Sequence, residues 1–182
     1  MRYFISIDII DEDVKENIMK FTSSIATCGD ISTVSSENLH ITLLFLGEHD
    51  TEREDELRSS FIYTCENINV SEFTCRMENV GVFPHMNYIE TVWIGAEPRD
   101  KISELHMKFS EYMNGENEYD FVPHATVARV RGVSPAEKSE LQEQIESFQQ
   151  EFGTFEVDRV RLKQSELRED GPEYQDVEVY RL

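Results

Sequence analysis

Long apolar runs are missing from this 182-residue sequence. None approaches the stretch of about 18 residues that a membrane-crossing helix needs, so no membrane partner is expected. Cysteine is scarce: Cys28, Cys65 and Cys75 are odd in number and form no C-x-x-C pair, which argues against a disulfide framework and a thiolate zinc site. They read as reduced thiols. Positive charge is short as well, with 17 basic residues against 37 acidic ones and a net charge of -20. A field of that sign repels long nucleic acid unless cations gather locally, so any nucleic-acid partner should touch a small site. An acidic surface poor in lysine suits a salt-rich cytoplasm, although an ordinary solvated surface explains it more simply. The opening MRYFISID alternates like a strand and lacks a cleavable-signal pattern, so the expected location is cytoplasmic. No exposed heptad or apolar patch is evident, and the expected state is a monomer.

What is present is ordinary for a globular chain: 39% hydrophobic and 10% aromatic residues, on a length that can bury roughly 70% of its unfolded surface. Tyr3–Ile9 alternates as a strand, and Asp11, Glu12 and Asp13 suit the first turn of a helix running to about Ala26. Leu39–Leu46 reads as a central strand, residues 51–67 as a helix, and Phe73–Val82 as a strand. The order then recurs: strand Tyr88–Ile94, helix Pro98–Asn114, strand His124–Val130. Ser134-Pro135-Ala136-Glu137 starts a helix reaching about Gln150, and Phe155–Ser165 and Val177–Leu182 supply the last strands. No linker separates the halves, so they are expected to pack as lobes of one domain spanning 1–182.

Two apolar strands carry a misplaced polar pair. In ENLHITLLFLG the pair is His40 and Thr42; in FVPHATVAR it is His124 and Thr126. Side chains at i and i+2 of a strand share a face, so each unit presents an imidazole beside a hydroxyl. Brought face to face, two imidazoles with ordinary pKa values near 6.5 can hold one neutral and one protonated ring. That is a general base opposite a general acid, suited to displacement at phosphorus, with the hydroxyls donating to non-bridging oxygens. Arg129 is the nearby cation, but its offset of five from His124 has the wrong parity for a regular strand, so a bulge must turn it inward. No His-x-His, H-E-x-x-H or G-x-S-x-G occurs, and metal-assisted or serine chemistry is not expected; nor is any cofactor. His49, His85 and His106 lack the threonine partner and read as surface or helix-face residues.

Both His-x-Thr segments, with MRYFISIDI, the central VGVFP and the late QSELREDGPEY, resemble the 2H phosphoesterase superfamily over nearly the whole chain. Within it the resemblance is to the RNA 2′,3′-cyclic phosphodiesterases, first described as 2′-5′ RNA ligases. It implies an α+β, bilobal fold: two antiparallel sheets with flanking helices around a central cleft, related by a pseudo-twofold duplication. It also implies metal-free opening of a 2′,3′-cyclic phosphate at an RNA 3′ end to a 2′-phosphate. His40 would be the proton donor to the departing 3′ oxygen and His124 the proton acceptor that activates water. Thr42 and Thr126 would hold phosphate oxygens beside Arg129, and Phe83 would stack on the terminal base or serve as a core aromatic at a turn. The family's Arg-Trp-Val-like segment and its lysine after the first motif are replaced here by Ser32-Thr33-Val34 and Leu44. The row Arg159, Arg161 and Lys163, continuing to Ser165 on one strand face, reads either as an RNA backbone contact that compensates or as an ordinary solvated face, and the net charge favours the contact. Two other readings stay open: 2′-5′ ligation of tRNA halves at the same site, and RNA-end binding without catalysis.

Overall fold

The structure, a computed structural model, describes residues 1–113, 121–148, 150–168 and 171–182. In chain order the elements are β1 (Arg2–Asp8), α1 (Glu12–Ile25), β2 (Asp30–Thr33), β3 (His40–Glu48), α2 (Glu54–Asn67), β4 (Phe73–His85), β5 (Tyr88–Glu97), α3 (Arg99–Met113), β6 (His124–Gly132), α4 (Pro135–Ser147), β7 (Glu151–Val157), β8 (Arg159–Arg168) and β9 (Gly171–Arg181). The helix starts follow from local chemistry. Asp11 accepts a hydrogen bond from the Val14 amide at 3.0 Å, with Glu12 and Asp13 in the first turn of α1. Ser134 and Glu137 cap each other's backbone amides at the start of α4, with Pro135 in its first turn.

The expected strand order holds with two differences. Asp30–Thr33, short and polar, forms β2 along β6 and carries too little alternation to be read from sequence. The single strand expected over Phe155–Ser165 is two, because the chain breaks pairing at Asp158 and moves from β4 to β1. Asn114, the expected end of the third helix, lies outside the described residues; α3 is described to Met113.

The sheet differs more. Instead of two sheets, all nine strands join one antiparallel sheet in the order β7-β4-β5-β6-β3-β1-β8-β9, with β2 added beside β6. Its two halves meet where β3 runs along β6, and the pairing there is the single partner pair Ile41 and Ala125. Both residues are fully buried. α1 packs near β7, and α3 lies over β3, so helices cover the face to which Ile41, Leu43, Ala125 and Val127 point. No helix among the described residues is long and apolar enough to cross a membrane.

Candidate functional site

The strands β3 and β6 have the same burial sequence residue for residue: half-buried histidine, buried apolar residue, half-buried threonine, then two buried residues. Because Ile41 pairs with Ala125 and both point into the core, His40, Thr42, His124 and Thr126 point to the opposite face of the sheet. Continuing that antiparallel register sets His40 across from Thr126 and Thr42 across from His124. The histidines are then diagonal neighbours, a relation that spans about 7–8 Å in a ladder. His40 and His124 are close enough for the charge of one to depress the pKa of the other.

Each ring is oriented in the same way. His40 Nδ1 lies 2.7 Å from the carbonyl of Asn38, and His124 Nδ1 lies 2.6 Å from the carbonyl of Val122. A carbonyl oxygen only accepts, so Nδ1 carries a proton in both rings. Each ring is also walled by two aromatics. Phe4 and Tyr174 stand 5.2 Å from His40, centroid to centroid, and Phe83 and Trp93 stand 5.1 and 5.7 Å from His124. Burial among such neighbours is the main force pushing the His40 pKa below its ordinary value. The Asn38 carbonyl opposes it, the Lys163 charge adds to it, Asp8 opposes it and His124 adds to it.

Arg129 required a bulge, and the strand contains one. Val92 pairs with Ala128 and Trp93 with Thr126, which leaves Val127 without a partner on β5 and shifts the parity of β6 beyond it. Arg129 is exposed, and its charge acts on the Tyr174 phenol, which belongs to the other half of the sheet. The first half has the same irregularity. Ile5 pairs with Leu44 and Ser6 with Thr42, skipping Leu43, so that Phe45 occupies the place on β3 that Arg129 occupies on β6. Phe83 is 36% exposed and edge-on to His124, so it lines the site and is not a core residue. Ser165 is half-buried, between Arg2 on β1 and Tyr174 on β9, at the margin of the His40 wall.

The basic row is corrected by the structure. Lys163 Nζ sits 2.7 Å from Asp8 Oδ2 and 3.6 Å from Asp176 Oδ1, and Arg161 pairs with the same two carboxylates. Arg159 is taken by Asp158 at 2.7 Å. These cations are therefore matched by carboxylates of their own chain, and Lys163 is buried. Asp8 is the strand partner of His40, and it also accepts from Ser6 Oγ at 3.1 Å. Phe4, Asp8, Trp93 and Tyr174 were not singled out from the sequence. Asp8 left a signal: Ser6 and Asp8 in YFISIDI are another polar i, i+2 pair in an apolar strand.

Of the remaining histidines, His106 is on a helix as expected but buried, not at the surface. Among the described residues, no group of three or more His, Cys, Asp or Glu side chains is placed to hold a metal ion.

Comparison with known proteins bears on what this site does. Residues 20–169 match the 2′-5′ RNA ligase superfamily. The chain is 34% identical over 179 residues to a Methanocaldococcus jannaschii protein named RNA 2′,3′-cyclic phosphodiesterase, covering 96% of this chain and 97% of that one. It is also 34% identical over 188 residues to a protein of the same name from Methanothermobacter thermautotrophicus, covering 100% and 99%. Among solved structures it is similar in fold to a Thermus thermophilus protein, with a TM-score of 0.78 at 22% identity over 100% of this chain and 98% of that one. The similarity to E. coli LigT in its apo form has a TM-score of 0.71 at 21% identity, covering 99% and 96%.

Proposed function

Since the chain belongs to the 2′-5′ RNA ligase superfamily, we propose that it is an RNA 2′,3′-cyclic phosphodiesterase working by two-histidine acid–base catalysis. The observation that carries this reading is the matched pair of imidazoles, each with Nδ1 held by the carbonyl two residues before it, which assigns the proton exchange to Nε2 in both rings. His124 Nε2 takes a proton from water as the water oxygen bonds to phosphorus. The bond from phosphorus to the 3′ oxygen breaks, and that oxygen receives the proton of His40 Nε2. The product is a 2′-phosphate with a free 3′ hydroxyl.

Thr42 and Thr126 donate to the non-bridging oxygens, and Arg129 offsets the charge that accumulates there. Phe83, exposed beside His124, offers a π face to the terminal base, and Ser165 lies toward the next nucleotide. We take the two halves as a duplication acting as one catalytic unit, since each provides one histidine, one threonine, one bulge and one aromatic wall.

The test is chromatography of an RNA oligonucleotide ending in a 2′,3′-cyclic phosphate, incubated in EDTA with wild type, His40→Ala and His124→Ala. A 2′-phosphate product lost in both variants is the expected result. Binding without turnover by wild type would replace this reading with RNA-end recognition. Joining of RNA ends in preference to hydrolysis would favour the 2′-5′ ligase reading, which uses the same site in reverse.

A further inference from the structure

Both bulges leave a backbone carbonyl outside the ladder, and the two are satisfied differently. In β6 the carbonyl of the skipped residue Val127 accepts from the Val34 amide at 2.9 Å, supplied by the chain just after β2. Among the described residues, the first half has no strand in the corresponding place. There the carbonyl of the skipped residue Leu43 accepts from His106 Nδ1 at 2.7 Å. A side chain of α3 thus does for β3 what a backbone amide does for β6.

The same imidazole reaches the other half of the site. Its ring lies parallel to that of Phe121, with centroids 4.1 Å apart and planes within 6°. Phe121 opens the segment into β6, and the next residue, Val122, is the one whose carbonyl holds His124 Nδ1. His106 is buried at 3% exposure. Its Nε2 has no hydrogen-bond partner among the described residues, and the bond to the Leu43 carbonyl requires a proton on Nδ1. One edge of this ring holds the strand of His40, and one face holds the approach to His124.

We propose that His106 is a positioning residue that sets how the two His-x-Thr strands face each other. This rests on the reading of His40 and His124 as the catalytic pair. Without the Leu43 bond, the bulge loses the group that fixes its place on β3, and a shift there moves Thr42 and Phe45 on the reacting face. Without the stack, the segment carrying the Val122 carbonyl is free to shift and to turn the His124 ring.

The experiment separates the two attachments. His106→Asn keeps an N–H near the place of Nδ1 but loses the ring; His106→Phe keeps a ring against Phe121 but leaves the Leu43 carbonyl without a donor. Turnover of the cyclic-phosphate oligonucleotide is measured for both, with thermal unfolding to confirm that each is folded at the assay temperature. The expected result is a kcat about 100-fold lower for His106→Phe with KM nearly unchanged, and a smaller loss, from the missing stack alone, in His106→Asn. Wild-type kcat in His106→Phe, or an equal loss in both variants, overturns the proposal. Nitrogen-15 spectra of the His40 and His124 rings are recorded on the same samples. If the wild type proves inactive, the catalytic reading fails separately. The positioning role then stands or falls on whether His106→Phe moves those ring signals and His106→Asn moves them less.

Discussion

Replacing Gly81 by alanine tests the wall behind His124. A Cβ built on Gly81 would come closer than 3.0 Å to Cζ2, Cη2 and Cε2 of Trp93, so the indole lies directly over the glycine. Carbon atoms in contact prefer about 3.5–4.0 Å, so the ring must retreat by on the order of 1 Å. Trp93 stands 5.7 Å from His124 and 5.3 Å from Phe83, and it cannot move without disturbing one of them. Gly81 does not have the left-handed φ that would favour glycine, so alanine fits its backbone and lowers the entropy of the unfolded chain, a gain of about 0.4–1 kcal/mol. Overpacking costs about 1–3 kcal/mol, which leaves a net loss of roughly 1–2 kcal/mol. For a chain of this size that corresponds to a fall in Tm of roughly 2–8 °C. Displacement of the His124 ring by a similar distance should reduce kcat by up to about 100-fold. The chain has one tryptophan, so its fluorescence reports this wall alone. The expected Gly81→Ala protein melts earlier, emits further to the red as the buried indole N–H meets water, and turns over slowly. Unchanged melting, emission and kcat together would refute the close packing of Trp93 on Gly81.

Four further expectations are open to direct measurement. Burial holds the His40 pKa below its ordinary value, so with His40 as proton donor the alkaline limb of kcat/KM should fall below about pH 6.5; a plateau reaching pH 8 would exchange the roles of the two histidines. The same depression means that the stability His40 confers is present above about pH 6.5 and is lost as pH falls through the folded-state value. Urea melts of wild type and His40→Asn from pH 5 to 8 should therefore diverge on the acid side, and parallel curves would remove the linkage. Lys163→Met leaves Asp8 with Arg161 as its remaining cation and should cost up to about 3 kcal/mol, partly recovered by adding Asp8→Asn. Additivity of the two substitutions in denaturant melts would show that the pair is not coupled. Burial pushes the Cys65 and Cys75 thiols up to about 12, so both should resist a disulfide reagent at pH 8 until denaturant is added. Labelling of either within minutes in the native protein would contradict their burial.

The sequence by itself determined the strand and helix order and the two histidines. A period of two in a strand and 3.6 in a helix is written along the chain, and a polar side chain in an apolar strand interrupts it visibly. The need for a bulge before Arg129 was legible for the same reason, since parity is a property of spacing alone. Which strand lies beside which is a different kind of information. That Trp93 and Phe83 wall one histidine while Phe4 and Tyr174 wall the other depends on registers between strands far apart in the chain. The expected basic row failed for this reason: spacing put Arg161 and Lys163 on one face, and only the pairing of β8 with β1 and β9 brought Asp8 and Asp176 against them. One antiparallel sheet in place of two was decided by the backbone pair at Ile41 and Ala125, whose side chains are buried in either arrangement. Only tertiary structure could place His106, because nothing in its own helix distinguishes a solvated histidine from one that satisfies the unpaired carbonyl of a bulge 63 residues away.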